Sequence, residues 1–232
     1  MDALILNIES STTMCSVSLG KNGHCLDHRS FNEGYSHAEK LAPFIADILA
    51  ANNLKASDLD AIAVSSGPGS YTGLRIGHSL AKGLCFSASK PLISVPTLQL
   101  MCLNKEVRAK VNFYKDVLLC PMLDARRMEV YTCTYDIGLK EVSKTQAKIL
   151  DEESFRDELA KEAVLFFGPG SEKVKTVVDS KSAYYVEDVW PSAEDMCLLS
   201  QTKFEAQEFE DVAYCEPFYL KEFMATTPKK LI

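Results

Sequence analysis

Leu4–Ile8 is a short apolar run and Cys15–Leu19 alternates apolar with polar residues. Gly20-Lys21-Asn22-Gly23 carries an Asn-Gly pair that favours a tight hairpin, and His24–Phe31 returns, so residues 3–31 are expected to form a three-stranded meander. Ser36-His37-Ala38-Glu39 has capping-box spacing and opens a helix with Ala38, Leu41, Ala42, Ile45, Ile48 and Leu49 on one face. Pro43 inside that pattern should kink the helix or delay its regular part. After polar Leu54–Asp60, Ala61–Ser65 reads as a buried strand. Gly67-Pro68-Gly69-Ser70-Tyr71-Thr72-Gly73 breaks it sharply and launches a helix to about Phe86; Leu92–Val95 is a strand and Thr97–Lys105 a helix.

A second half begins near Arg108. Val117–Leu123 and Met128–Tyr135 predict a hairpin around Asp124-Ala125-Arg126-Arg127. A further strand, an acidic helix near Ser154–Lys161, the strand Val164–Phe167, Gly168-Pro169-Gly170-Ser171 and another helix follow, and Pro191-Ser192-Ala193-Glu194 opens the last strong helix. The phrase strand, Gly-Pro-Gly-Ser, helix thus occurs twice, at Val64–Gly73 and from Leu165 onward. It suggests a duplicated α/β domain, although Gly-Pro-Gly also simply makes a good turn. The division expected is a first lobe at 1–106, a smaller second lobe at 107–220 and a polar, lysine-bearing tail at 221–232.

Glycines between a strand and a helix let backbone N–H groups approach an anion at the positive end of the helix dipole. Gly67, Gly69 and Ser70, with Gly168 and Gly170 in the echo, are therefore candidate phosphate-loop residues. The dinucleotide fingerprint is excluded because its third glycine would fall at Thr72, and the P-loop because no Gly-Lys-Ser/Thr is present. Glu9-Ser10-Ser11-Thr12-Thr13, between two strands, offers a carboxylate and hydroxyls to the same chemistry or to a tight Ser/Thr turn. In the helix after Ser70, Gly73, Gly77 and Ala81 recur at i, i+4, i+8 and leave one face nearly bare. Gly77 and Gly83 inside it cost about 2 kcal/mol relative to alanine, which a close neighbour must offset, either a partner's helix or this chain's own sheet.

Composition changes this picture in three places. At 232 residues the chain buries a sizeable core, and 47% hydrophobic and 25% charged residues exclude wholesale disorder. The net charge of −7 argues against autonomous binding of nucleic acid or anionic membrane. Of the eight cysteines no two fall at CxxC spacing, and several sit in apolar runs, so they are expected to be reduced in a cytoplasmic protein without a zinc ribbon. MDALILNIESS lacks a basic leader region, and no apolar stretch is long enough to span a membrane. The histidines at 24, 28, 37 and 78 show no metal motif; His24 and His28 are expected on one strand face, and Asp124 with Arg126 as a loop ion pair.

Ordered along the whole chain, LILNIESSTTMCSVSL at 4–19, SHAEKLAPFI at 36–45, SGPGSYTGLRIG at 66–77, KPLISVPTL at 90–98, DARRMEVY at 124–131 and EPFYLK at 216–221 resemble the TsaB (YeaZ-like) family. These are accessory proteins of bacterial tRNA threonylcarbamoyladenosine synthesis whose relatives once carried a glycoprotease (peptidase M22-like) label. GPGSYTGLRIG is the most specific of these motifs. The resemblance implies two RNase-H-like α/β lobes of the actin/Hsp70/sugar-kinase superfamily. It implies a non-catalytic scaffold acting through a TsaD-like subunit, which transfers threonylcarbamoyl to the adenosine beside the anticodon, together with a TsaE-like ATPase. It further implies a homodimer in isolation, tRNA contact only through the complex, no tightly bound cofactor, and ATP and metal belonging to the partners. Asp124, Arg126 and Tyr219 fall in the shared motifs, and the helices at 36–51 and 72–86 (His37, Leu41, Ile45, Gly73, Gly77, Ala81) are the expected partner face.

In TsaD a segment like KPLIGVNHLEGH supplies two metal-binding histidines. The matching positions here are Thr97 and Leu100–Cys102, and no histidine follows His78, so this helix should pack as core and the isolated chain should hold no transition metal. Glu9 stands where the family commonly has aspartate, which puts any residual nucleotide site in question. Two rival readings remain: a small-molecule kinase of the same superfamily, and a metalloprotease, the latter without a histidine motif to support it.

Overall fold

The computed structural model describes residues 2–34, 36–114 and 116–221; of the tail expected at 221–232, only Lys221 falls among them. The first lobe is a five-stranded sheet of β1 (Leu4–Glu9), β2 (Cys15–Lys21), β3 (His24–Phe31), β4 (Ala61–Gly67) and β5 (Leu92–Pro96), with α1 (His37–Ala51) and α2 (Tyr71–Ala88) in its crossovers. Two short helices, α3 (Thr97–Met101) and α4 (Lys105–Val111), lead to the second sheet. That sheet comprises β6 (Val117–Asp124), β7 (Glu129–Tyr135), β8 (Glu141–Ile149), β9 (Ala163–Phe167) and β10 (Ala183–Val186), with the one-turn helices α5 (Arg156–Leu159) and α6 (Glu172–Lys175). A 3-10 turn at Glu194–Met196 then runs into α7 (Cys197–Glu205).

The sheets are topological copies. The first is ordered β3-β2-β1-β4-β5; the second, taken in the same sense, is β8-β7-β6-β9-β10. In each, an antiparallel meander adjoins two parallel strands. Gly67 and Gly168 close the corresponding strands β4 and β9 at φ +104° and +99°, a left-handed turn that glycine adopts without Cβ strain. This is the duplicated α/β architecture that the repeated phrase suggested, with the two lobes that the family resemblance implied.

Three apolar layers hold it together. Leu6, Ile8, Val17 and Val64 pack beneath Leu41, Ile45 and Ile48 of α1 and Ala81 and Cys85 of α2. Cys120, Val164 and Phe166 form a smaller outer layer with Phe155, Leu159 and Val174. Between the sheets, Ile5, Ala63, Val95, Leu119, Leu165 and Phe167 enclose Leu98, Leu100, Met101 and Met196. Helix α7 lies against β1, β2 and β5, so the chain returns to the first lobe after leaving the second.

Several elements differ from the sequence pattern for local reasons. Ser36 makes no side-chain cap, because at φ −108°, ψ 20° its hydroxyl is not aimed along the helix; Ser70 does cap α2, accepting from the Gly73 N–H at 3.2 Å. Helix α1 continues through Pro43, which sits on its exposed side. The helix expected over Thr97–Lys105 stops at Met101, and Asn104 caps a new one by accepting from the Glu106 N–H at 3.0 Å. The acidic helix near Ser154 shrinks to one turn behind Phe155, which is left-handed at φ +62°. Ser192 precedes a 3-10 turn rather than an α-helix, and β10, a half-buried Ala-Tyr-Tyr-Val without alternation, gave no strand signal.

Candidate functional site

The end of β1 and the Gly-Pro-Gly loop after β4 meet above the first sheet. The Ser11 carbonyl accepts the Ser70 N–H at 2.6 Å. A β-carbon on Gly69 would overlap Ser11, one on Gly73 would overlap the Ser10 carbonyl oxygen, and one on Gly77 would overlap the Ser10 hydroxyl. The two candidate phosphate loops therefore fill each other's space. Glu9 is fully buried, with Oε1 accepting the Ser11 N–H at 2.5 Å. Burial, opposed by bonds from Ser11, Ser65 and Ser10, raises its pKa and favours the neutral acid. Its Oε2 and the Ser10 and Ser11 hydroxyls are buried without a partner among the described residues. Thr12 contributes its carbonyl, which accepts from His37 Nε2–H at 2.7 Å; burial lowers the His37 pKa and keeps the ring neutral.

The second glycine loop is closed in the same manner. Gly170 N–H donates to the Met122 carbonyl at 3.1 Å, and side chains at Gly168 or Gly170 would strike Met122 or Leu123 at the end of β6. Between the lobes lies a cleft of about 460 Å³ lined by residues including Gly67, Pro96, Gln99, Tyr135, Lys144 and Phe218. Of the candidate phosphate-loop residues only Gly67 reaches it; Ser10, Ser11, Gly69, Ser70, Gly168 and Gly170 do not line it. Thr97, Leu98, Leu100 and Met101 are buried, and the Thr97 hydroxyl accepts the Gly67 N–H at 3.2 Å. The helix matching the metal-binding segment of TsaD is core, as its composition implied.

The glycine stripe corrects the expected partner face. Gly73, Gly77 and Ala81 are buried inward against Ser10 and β4, and Leu41 and Ile45 point into the apolar layer under α1. The small residues offset their helical cost by letting α2 lie close upon the chain's own sheet. His37 is likewise spent on Thr12. What faces outward between α1 and α2 is a groove of about 480 Å³, lined by His37 and Leu41 together with Ala38, Ala42, Arg75, Ile76, Ser79 and Leu80. Of the six residues expected on the partner face, His37 and Leu41 line this groove, whereas Ile45, Gly73, Gly77 and Ala81 do not. Ala38 and Ala42, at the same period as Leu41, were the available signal.

The family-motif residues are structural couplers. Asp124 pairs with Lys173 at 2.9 Å, not with the Arg126 side chain, and its Oδ1 accepts the Arg126 backbone N–H at 2.6 Å. That bond shapes a turn in which Arg126 and Arg127 have φ of +72° and +47°. Tyr219 packs tilted against Tyr71, with ring centroids 4.9 Å apart, and accepts from Arg75 Nε–H at 3.3 Å. Phe218 N–H donates to the Ser66 carbonyl at 2.7 Å, so the last described segment is pinned to the first glycine loop. No spacing in the sequence connected residues so far apart. Among the described residues, no helix is long and apolar enough to cross a membrane.

Comparison with known proteins agrees with this geometry. The family described as TsaD, tRNA N6-adenosine threonylcarbamoyltransferase, matches residues 34–227. The tRNA threonylcarbamoyladenosine biosynthesis protein TsaB of Escherichia coli (strain K12) is 31% identical over 229 residues, covering 95% of this chain and 96% of that protein. TsaB of Bacillus subtilis (strain 168) is 32% identical over 131 residues, 56% of this chain and 54% of the relative. Among solved structures, an uncharacterised Pseudomonas aeruginosa protein with similarity to peptidase YEAZ superposes with TM-score 0.79 at 26% identity, covering 94% of this chain and all of the other. YeaZ from the same organism gives TM-score 0.73 at 27% identity with the same coverage of this chain.

Proposed function

Because the chain belongs to the TsaB family of tRNA threonylcarbamoyladenosine biosynthesis proteins, we propose that it is a non-catalytic activating subunit. In this reading it acts through a TsaD-like transferase, with a TsaE-like ATPase completing the assembly. The observation that carries this reading is the mutual closure of the Ser10–Ser11 and Gly67–Gly73 loops, which leaves no phosphate-sized space between them. Transfer of a threonylcarbamoyl group from its adenylate needs charge stabilisation at the leaving phosphate and at the carbonyl. The Ser70 and Gly170 N–H groups are taken up by the Ser11 and Met122 carbonyls, and the segment that matches TsaD's histidines is buried. ATP and the catalytic metal are accordingly assigned to the partners, and the setting to the cytoplasm.

The groove between α1 and α2 is the proposed partner face. Its small, exposed Ala38, Ala42 and Ser79 beside Ile76 and Leu80 suit a second helix pair, giving a four-helix contact. The same face would serve a homodimer when the partner is absent, and tRNA would be reached through the assembly. Reconstitution tests the proposal: unmodified tRNA, threonylcarbamoyl adenylate and the transferase are combined with and without this chain. Full modification should require the chain, while the chain alone should transfer nothing. Modification by the chain alone, or undiminished modification in its absence, would overturn the proposal. The kinase reading predicts phosphorylation of a sugar or acid from ATP by the purified protein, and it requires both glycine loops on the cleft, whereas only the first, through Ser66, Gly67 and Pro68, lines it.

A further inference from the structure

Strand β3 contains an irregularity that the hairpin pattern did not announce. Lys21 pairs with His24 and Gly20 with Cys25, but Leu19 pairs with Asp27 and Ser18 with His28, so Leu26 is an extra, bulged residue. The bulge inverts the alternation. His24, opposite Lys21, and His28, opposite Ser18, lie on opposite faces rather than on the one face expected, while Cys25 and His28 share a face with Ser18 and Gly20. That face is the one covered by the segment through which the chain re-enters the first lobe. The Ala193 carbonyl accepts from the Ser18 hydroxyl at 2.7 Å, and the Cys197 sulfur lies 3.4 Å from the same hydroxyl. Gly20, without a side chain, leaves room for Cys197 to approach.

We propose that Cys25, His28 and Glu194 bind a divalent zinc ion that ties the edge strand β3 to the 193–197 corner. Their ligand atoms lie within 4.8 Å of one another, and His28 Nε2 is 3.9 Å from Glu194 Oε2. Tetrahedral zinc needs ligands closer than this, but His28 and Glu194 are about half exposed and can rotate inward. One thiolate, one imidazole and one carboxylate form a set suited to a borderline-soft ion, with the outer side left for water. The Cys25 thiol donates to the Asp27 carbonyl at 3.5 Å, a bond it gives up on ligating the ion. The site owes nothing to the helix that matches TsaD's metal segment. It runs against the expectation that the isolated chain holds no transition metal, because CxxC spacing and histidine motifs do not reveal a Cys–His pair brought to one face by a bulge.

The test uses the isolated full chain under reductant, with Zn²⁺ titrated against a chromophoric chelator and Co²⁺ as a spectroscopic probe. One equivalent of zinc should bind, raise the melting temperature by mass action and, with cobalt, give a thiolate charge-transfer band. Cys25→Ser and His28→Ala should each weaken binding at least about tenfold and abolish the zinc-dependent stabilisation. Glu194→Gln, at an exposed position, checks the third ligand without endangering the fold. Absence of stoichiometric binding, or binding undiminished in Cys25→Ser and His28→Ala and hence seated elsewhere, would overturn the proposal. Either result leaves the reconstitution assay unaffected, so the two readings stand or fall separately.

Discussion

Gly73, in the first turn of α2, lies against the residue that follows β1. Its missing side chain serves the Ser10 carbonyl oxygen, a backbone atom that cannot swing away. Gly73→Ala should therefore destabilise the protein by about 2–3 kcal/mol, measured as a lowered urea midpoint at unchanged slope. Gly77→Leu should unfold the first lobe, because its branched side chain would meet the buried Ser10 side chain and Val64 of β4.

Asp195 belongs to the same scale. Burial, aided by Glu194 and opposed by Asn104 and Lys105, pushes its pKa up to about 7 from 3.8. A carboxyl whose folded pKa is raised favours the fold fully below its unfolded pKa, and that advantage is lost as pH rises toward 7. Because the side chain is half-buried, the loss is on the order of 1 kcal/mol. Asp195→Asn should remove this slope and be more stable than the parent at pH 8, as equilibrium unfolding at pH 5 and pH 8 will show.

At the scale of elements, α1 and α2 illustrate what a helical period can and cannot say. The positions that fill the core, Leu41, Ile45 and Ile48, were evident as a stripe, and so was the glycine face of α2. Periodicity finds a face but not what lies opposite it. The outer groove, where Ala42 and Ser79 are exposed, appears only once both helices are docked on the sheet. Ala42→Glu should leave stability within about 0.5 kcal/mol, since it alters an exposed position. It should weaken binding to the TsaD-like partner at least about tenfold by placing an unpaired charge in an apolar contact. Calorimetric titration with thermal melts of the free variant checks both. Unchanged affinity would remove this groove from the interface.

At the scale of the whole molecule, the chain's net charge of −7 governs its encounter with RNA. Binding of polyphosphate draws on clustered cations and the release of counterions, which an acidic chain does not supply. The isolated protein should show negligible tRNA affinity at physiological salt, and a gel shift with retention by the reconstituted complex separates the two cases. Tight binding by the chain alone would contradict the accessory role.

The sequence by itself determined the strand-rich meander, the two Gly-Pro-Gly-Ser turns, the duplication they imply and the family to which the chain belongs. These depend on local chemistry: alternation, glycine's access to positive φ, and motifs a few residues long. Tertiary structure alone decided that the candidate phosphate loops close on each other, that Tyr219 docks on Tyr71 and Arg75, and that Asp124 pairs with Lys173. It also decided that a single bulged residue, Leu26, places Cys25 and His28 on one face toward Glu194. Each of these joins segments distant along the chain or depends on a one-residue register shift. A period-2 pattern carries no information about which strand slips, because pairing register is fixed by the neighbour and by the layer packed upon it.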